Sequence, residues 1–213
     1  MKFIDKKDWE RAPLFEKYED YLFPYINLGA EIDVTGLHRF AKEHGISFYC
    51  AMIHAATKIA LEFENFSYRI EDGRLARCEQ LTPVFTYLPK GTEQFYLVAQ
   101  PYEEDMINFC KKARVRAESL ADEAEHTFGT GDSTKEILYM SCIPWVKYTH
   151  FVRTVKNAED ASIPRISWGK YAKDEKGRIM MPFSVQVHHA LMDGYHVGKY
   201  FERIEAYLQE GFL

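Results

Sequence analysis

Phe183-Ser184-Val185-Gln186-Val187-His188-His189-Ala190-Leu191-Met192-Asp193-Gly194 is the stretch on which the reading of this chain turns. Apolar and polar residues alternate up to the first histidine, which is the period of a strand. Phe183, Val185, Val187 and His189 are therefore expected on one face, and Ser184, Gln186 and His188 on the other. The two adjacent histidines are then expected to point opposite ways. His188, His189 and Asp193 are zinc-ligand types, but two neighbouring strand residues do not readily grip one ion, so no metal site is expected. These residues alone leave two readings open, a structural histidine pair near a strand end and a catalytic one.

Working outward, a closing helix is predicted over about Tyr195–Gln209, with Val197, Phe201, Ile204 and Leu208 as its apolar stripe. Upstream, strands are expected near Ile137–Cys142, Trp145–Phe151 and Arg165–Ala172. Glu103–Glu125, rich in Ala, Glu, Lys and Arg, reads as a long helix. Tyr68–Leu75 reads as a hairpin, because Asp72-Gly73 suits a tight type I′ turn. Two strands are expected around Thr82–Leu88 and Phe95–Gln100, and another over Asn27–Asp33. Asp33 or Thr35 caps a helix that Gly45 closes, and Ser47 caps a second helix over Phe48–Leu61. A short helix begins near Pro13. No repeat or low-complexity linker interrupts this order. It describes a single α+β domain over residues 1–213, a two-layer sandwich of helices on one large, mostly antiparallel or mixed sheet.

Composition narrows the function. Of the 213 residues, 46% are hydrophobic and 28% charged, enough apolar side chain for a core. The net charge of −5 lacks the basic excess of a nucleic-acid binder, so no nucleic-acid partner is expected. No run of about 18 uncharged apolar residues marks a membrane span. Residues 1–8 mix acids and bases before any apolar run and do not read as a signal peptide. Cys50, Cys78, Cys110 and Cys142 lie too far apart in sequence for a zinc knuckle or redox pair, and are expected as reduced thiols in a cytoplasm.

His188-His189-Ala190-Leu191-Met192-Asp193-Gly194, followed by Tyr195, His196, Val197 and Gly198, resembles the signature of the chloramphenicol acetyltransferases. Three further segments resemble that family in the same order: Trp9-x-Arg11-x-x-x-Phe15, Ser141-Cys142-Ile143-Pro144-Trp145, and Ser167-Trp168-Gly169-Lys170-Tyr171 with serine in place of threonine. Each motif alone is weak. Four in register span essentially the whole chain. The resemblance implies the acetyltransferase fold of that family, acetyl-CoA as co-substrate, no metal, and transfer to a hydroxyl of chloramphenicol.

It also implies roles. His189 is the general base, since a neutral imidazole accepts a hydroxyl proton near neutral pH. Ser141 donates to the oxyanion of the tetrahedral intermediate. Asp193 pairs with Arg11 and shapes the site, and Ser167 holds a water near the transition state. Lys170 and Tyr171 lie near coenzyme A. Tyr18, Leu22, Pro24, Phe95 and Phe128 line the acceptor pocket, whose aromatic walls suit a flat ligand. The resemblance further implies a homotrimer with sites between subunits. Pro24 stands where the family has a small residue, and Gly129–Ser133 departs from its Phe-Pro-Lys loop. Both differences bear on the acceptor. An acyltransferase of the same fold with another hydroxyl or thiol acceptor is the alternative, the dihydrolipoyl acyltransferase cores included. A non-catalytic binder of a small aromatic ligand is the alternative of another class.

Overall fold

The alternation at 179–188 becomes the central strand of the molecule. In the computed structural model, which describes residues 1–122 and 135–210, the order is β1 (Lys2–Phe3), α1 (Ala12–Tyr18), β2 (Tyr25–Asp33), α2 (Thr35–Glu43), α3 (Phe48–Leu61), β3 (Tyr68–Glu71), β4 (Arg74–Arg77), β5 (Thr82–Tyr87), β6 (Tyr96–Ala99), α4 (Met106–Asp122), β7 (Ile137–Ile143), α5 (Ala158–Ala161), β8 (Arg165–Gly169), β9 (Ala172–Lys173), β10 (Ile179–His188) and α6 (Gly194–Glu210). Local signals set many of these boundaries. Ser47 accepts from the Cys50 N–H at the start of α3, a cap worth about 1 kcal/mol. Asp72 and Gly73 take φ of 50° and 67° in the β3–β4 turn, as a type I′ turn demands. Asp105 accepts from the N–H groups of Ile107 and Asn108, so α4 starts three residues later than its composition suggests.

The large sheet runs β2-β10-β8-β7-β5-β6, with β9 on β10. β10 is antiparallel to both of its neighbours, β2 and β8; β8, β7 and β5 are parallel, and β6 returns antiparallel to β5. The sheet is thus mixed, as expected. It is not alone: β1, β4 and β3 form a separate three-stranded sheet, because the 68–77 hairpin packs on α1 through Phe15, Tyr68, Ile70 and Leu75.

Helices α2, α3, α4 and α6 cover one face of the large sheet. Phe183, Val185 and Val187 of β10 join Trp168, Met140 and Phe85 of neighbouring strands in that core. Burying such side chains stabilises by about 1.5–3 kcal/mol each. The opposite face is polar, and it is buried too. Ser184 and Gln186 are 5% and 3% exposed. What covers them corrects one expectation. Residues 145–151 form no strand but cross that face as irregular chain. They bond both to side chains and to the backbone of the sheet. Asn27 donates to the Phe151 carbonyl at 2.8 Å, and the Tyr148 hydroxyl meets Ser184 Oγ at 2.9 Å. The Lys170 N–H donates to the Val146 carbonyl at 2.9 Å. A Cβ on Gly169 would lie 2.7 Å from that same carbonyl oxygen, so the crossing requires glycine there.

Candidate functional site

The strand ends at His188, and this corrects a second expectation. His189 is no longer on the face of Val185 and Val187 but in the turn that follows. Its N–H donates to the Pro24 carbonyl at 2.6 Å. Its imidazole lies flat on the Tyr18 ring, centroids 4.0 Å and planes 16° apart. The ring is half-buried, and Nδ1 is buried without a hydrogen-bond partner among the described residues. His188 is 1% exposed, and its Nδ1 accepts from the Ala190 N–H at 3.2 Å. Burial, and then the neighbouring His189, push the His188 pKa down to about 4, so it is neutral at pH 7 and braces the turn. The two histidines thus have separate surroundings.

Asp193 closes the turn. Its Oδ1 accepts from the Tyr195 N–H at 3.1 Å in the manner of an N-cap for α6. The same oxygen lies 2.8 Å from Nδ1 of His196, and Oδ2 lies 2.8 Å from Nη1 of Arg11. Burial pushes this carboxyl up, but the hydrogen bonds from Arg11 and His196 and their charges outweigh it and hold the pKa at about 2. Arg11 precedes α1 and Tyr18 ends it, so one short helix grips the 188–196 turn at both ends. Phe15, fully buried between them, anchors the helix. The part of His196 was not legible in the motif, although Asp-x-x-His at a helix start is a spacing that allows it.

Ser141 lies elsewhere. It sits on β7 in register with Ser167 of β8, which is in register with Ser184 of β10. Ser141 Oγ is 3.2 Å from Thr86 Oγ1 on β5. A row of hydroxyls therefore crosses the polar face. Ser167 Oγ is buried with no partner among the described residues, the condition of a hydroxyl that can hold a water or ligand atom. Ser141 opens into a cavity of about 800 Å³, lined also by Phe95, Tyr139, Trp145, Arg153 and Arg165. Tyr139, Arg153 and Arg165 carried no signal in the sequence.

The sites that were expected together fall into two groups. Tyr18 and Pro24 touch His189, and Phe95 shares the cavity with Ser141. Leu22 is 85% exposed beside the first group. Phe128 lies outside the described residues, as does the stretch 129–133. Lys170 and Tyr171 are exposed past the end of β8, with Tyr171 edge-on to His38 and Phe48. Separation of the two groups follows from the register. His188 is four residues past Ser184, about 13 Å along the strand, and two strand spacings, about 10 Å together, separate β10 from β7, so Ser141 lies roughly 16 Å from the strand end that carries His189. A base and an oxyanion donor acting on one carbonyl must each lie about 3 Å from it. Within one chain these two do not.

Among the described residues no helix is long and apolar enough to cross a membrane. A family model described as chloramphenicol acetyltransferase matches residues 1–205. The chain is 31% identical over 208 residues to a chloramphenicol acetyltransferase of Clostridium perfringens, covering 96% of this chain and 94% of that protein. It is 31% identical over 202 residues to chloramphenicol acetyltransferase 3 of Escherichia coli, covering 95% and 94%. A solved chloramphenicol acetyltransferase superposes with a TM-score of 0.86 at 25% identity, covering 98% of this chain and all of that one. The truncated catalytic core of the 2-oxoacid dehydrogenase multienzyme complex from Thermoplasma acidophilum shares the fold, with a TM-score of 0.71 at 13% identity, covering 97% and 98%.

Proposed function

This chain belongs to the chloramphenicol acetyltransferase family, and we propose that it performs the reaction of that name, moving the acetyl group of acetyl-CoA onto a hydroxyl of chloramphenicol. The observation that carries the reading at the level of residues is the clamped His189 ring, held by Tyr18 and the Pro24 carbonyl at the end of the central strand. With its proton on the buried Nδ1, the ring presents the Nε2 lone pair to the acceptor. Nε2 takes the hydroxyl proton as the oxygen bonds to the thioester carbon. Ser141 donates to the oxyanion so formed. The carbon–sulfur bond then breaks, the proton on Nε2 passes to the departing sulfur, and the products are an acetyl ester and the free thiol of coenzyme A. No acyl-enzyme and no metal take part. Ser167 holds a water beside the intermediate, and Lys170 and Tyr171 flank coenzyme A.

Because His189 and Ser141 stand about 16 Å apart in one chain, the complete site joins two subunits of a homotrimer. Exposed apolar side chains support this arrangement. Leu22 and Phe23, at 85% and 78%, lie beside His189, and Trp145, Val146 and Val152, at 67%, 51% and 54%, rim the other group. A closed cyclic trimer sets one patch against the other three times. The cytoplasm, where acetyl-CoA is made and thiols stay reduced, is the proposed location. The test is direct: purified protein with acetyl-CoA and chloramphenicol should release thiol and form the acetyl ester. Absence of both, with the chain folded and trimeric, would reject the acceptor.

A further inference from the structure

The cavity that Ser141 opens into also holds a cationic group with no ion-pair partner among the described residues. Arg153 lines the cavity, and its Nη1 is buried with no hydrogen-bond partner among the described residues. Its backbone is fixed, the N–H donating to Gln186 Oε1 at 2.9 Å and the carbonyl accepting from Gln186 Nε2 at 3.2 Å. The guanidinium carbon stands 5.7 Å from the centroid of the Tyr139 ring, on which Arg165 also packs at 5.3 Å. The two arginines are not equivalent. Arg165 Nη2 is 2.7 Å from Asp160 Oδ2, and its Nη1 donates to the carbonyls of Asp160 and Ile163. That charge is compensated. Glu93 and Asp160 line the same cavity; Glu93 is exposed, so solvent screens it, and Asp160 is paired with Arg165 and acts on Arg153 without bonding to it. Burial, and the Arg165 charge beside it, push the Arg153 pKa down to about 10, which still leaves a full cation at neutral pH.

A half-buried guanidinium without a direct ion-pair partner is costly to keep, and its planar fork fits a carboxylate through two parallel hydrogen bonds. The register shows which row the guanidinium packs on. Tyr139, Arg165 and Gln186 form the row next to Ser141, Ser167 and Ser184. We propose that Arg153 is a specificity-determining residue of the acceptor cavity, where its guanidinium, over Tyr139, holds a carboxylate of the acceptor. The acceptors preferred by this chain are then hydroxyl compounds that carry an acid, over neutral ones of the same shape. The proposal rests on the reading of Ser141 as the oxyanion donor of the site.

Its test compares chloramphenicol with the analogue in which a carboxylate replaces the nitro group. Thiol release from acetyl-CoA is followed for both compounds with the unaltered protein, R153L and R153K. The unaltered protein should favour the carboxylate. R153L should lower the ratio of the two kcat/KM values about tenfold or more, chiefly through KM, and R153K should recover part of it. A ratio unmoved by R153L overturns the proposal. Calorimetric binding of the carboxylate compound to the same proteins separates this inference from the reaction itself. If neither compound is acetylated, the proposed reaction fails, while carboxylate-selective binding that R153L abolishes still supports the anchor. Equal binding to both proteins refutes it. Arg153→Gln, which keeps polar bulk without charge, replaces the leucine variant if that one does not fold.

Discussion

The imidazole of His189 and the phenol ring of Tyr18 lie face to face, 4.0 Å apart. The contact fixes the plane of a side chain that has left its strand. Tyr18 is the last residue of α1, and the residue before that helix, Arg11, is bonded to Asp193. Orientation of the proposed base therefore depends on a helix more than 170 residues away in sequence, as the separation of 182 between Arg11 and Asp193 records.

Loss of the stacked ring should be read in kcat. Tyr18→Ala is expected to lower kcat about tenfold or more, since a base off its line of attack loses positioning. Tyr18→Phe keeps the face and should stay within a few-fold. Steady-state kinetics with acetyl-CoA and chloramphenicol check this. Equal losses in both variants would assign the effect to the hydroxyl instead.

Ser141→Ala should lower kcat by about 10²–10³-fold with little change in substrate affinity, because its bond forms mainly in the transition state. A change confined to KM would make Ser141 a positioning group for the bound acceptor.

The carboxyl of Asp193, held at about 2 in the folded chain against 3.8 for the free group, links stability to acid. A depressed carboxyl stabilises above the unfolded pKa, and that contribution fades as pH falls from about 4 through about 2. Partial exposure limits it to roughly 1–2 kcal/mol. Denaturant titrations at pH 6 and pH 3 should show Asp193→Asn less stable at pH 6 and closer to the unaltered protein at pH 3. A deficit that is the same at both pH values would detach Asp193 from the acid response.

His189→Ala and Ser141→Ala should complement each other. Mixed after reversible dissociation, the two inactive proteins form some interfaces that take His189 from one parent and Ser141 from the other. Part of the activity should return with the trimer. Light scattering that finds a monomer, or a trimer that stays inactive after mixing, would contradict a site shared between chains.

Sequence alone determined the parts that rest on short-range rules. Alternation marked β10 up to His188, Asp72-Gly73 marked a hairpin, and Ser47 marked the start of α3. Each is a matter of which face a residue takes or which turn it allows, and neighbours in the chain decide that. Tertiary structure decided the rest. Residues 145–151 have the composition of a strand, yet they lie across the polar face because Asn27, Ser184 and Gly169, on three different strands, receive them. The distance between Ser141 and His189 depends on β8 lying between β7 and β10, and strand order is set by contacts that no local period encodes. Arg153 carries no signal in the sequence. Gln186, fixed on β10 more than thirty residues later, is what holds its backbone and turns its charge into the cavity.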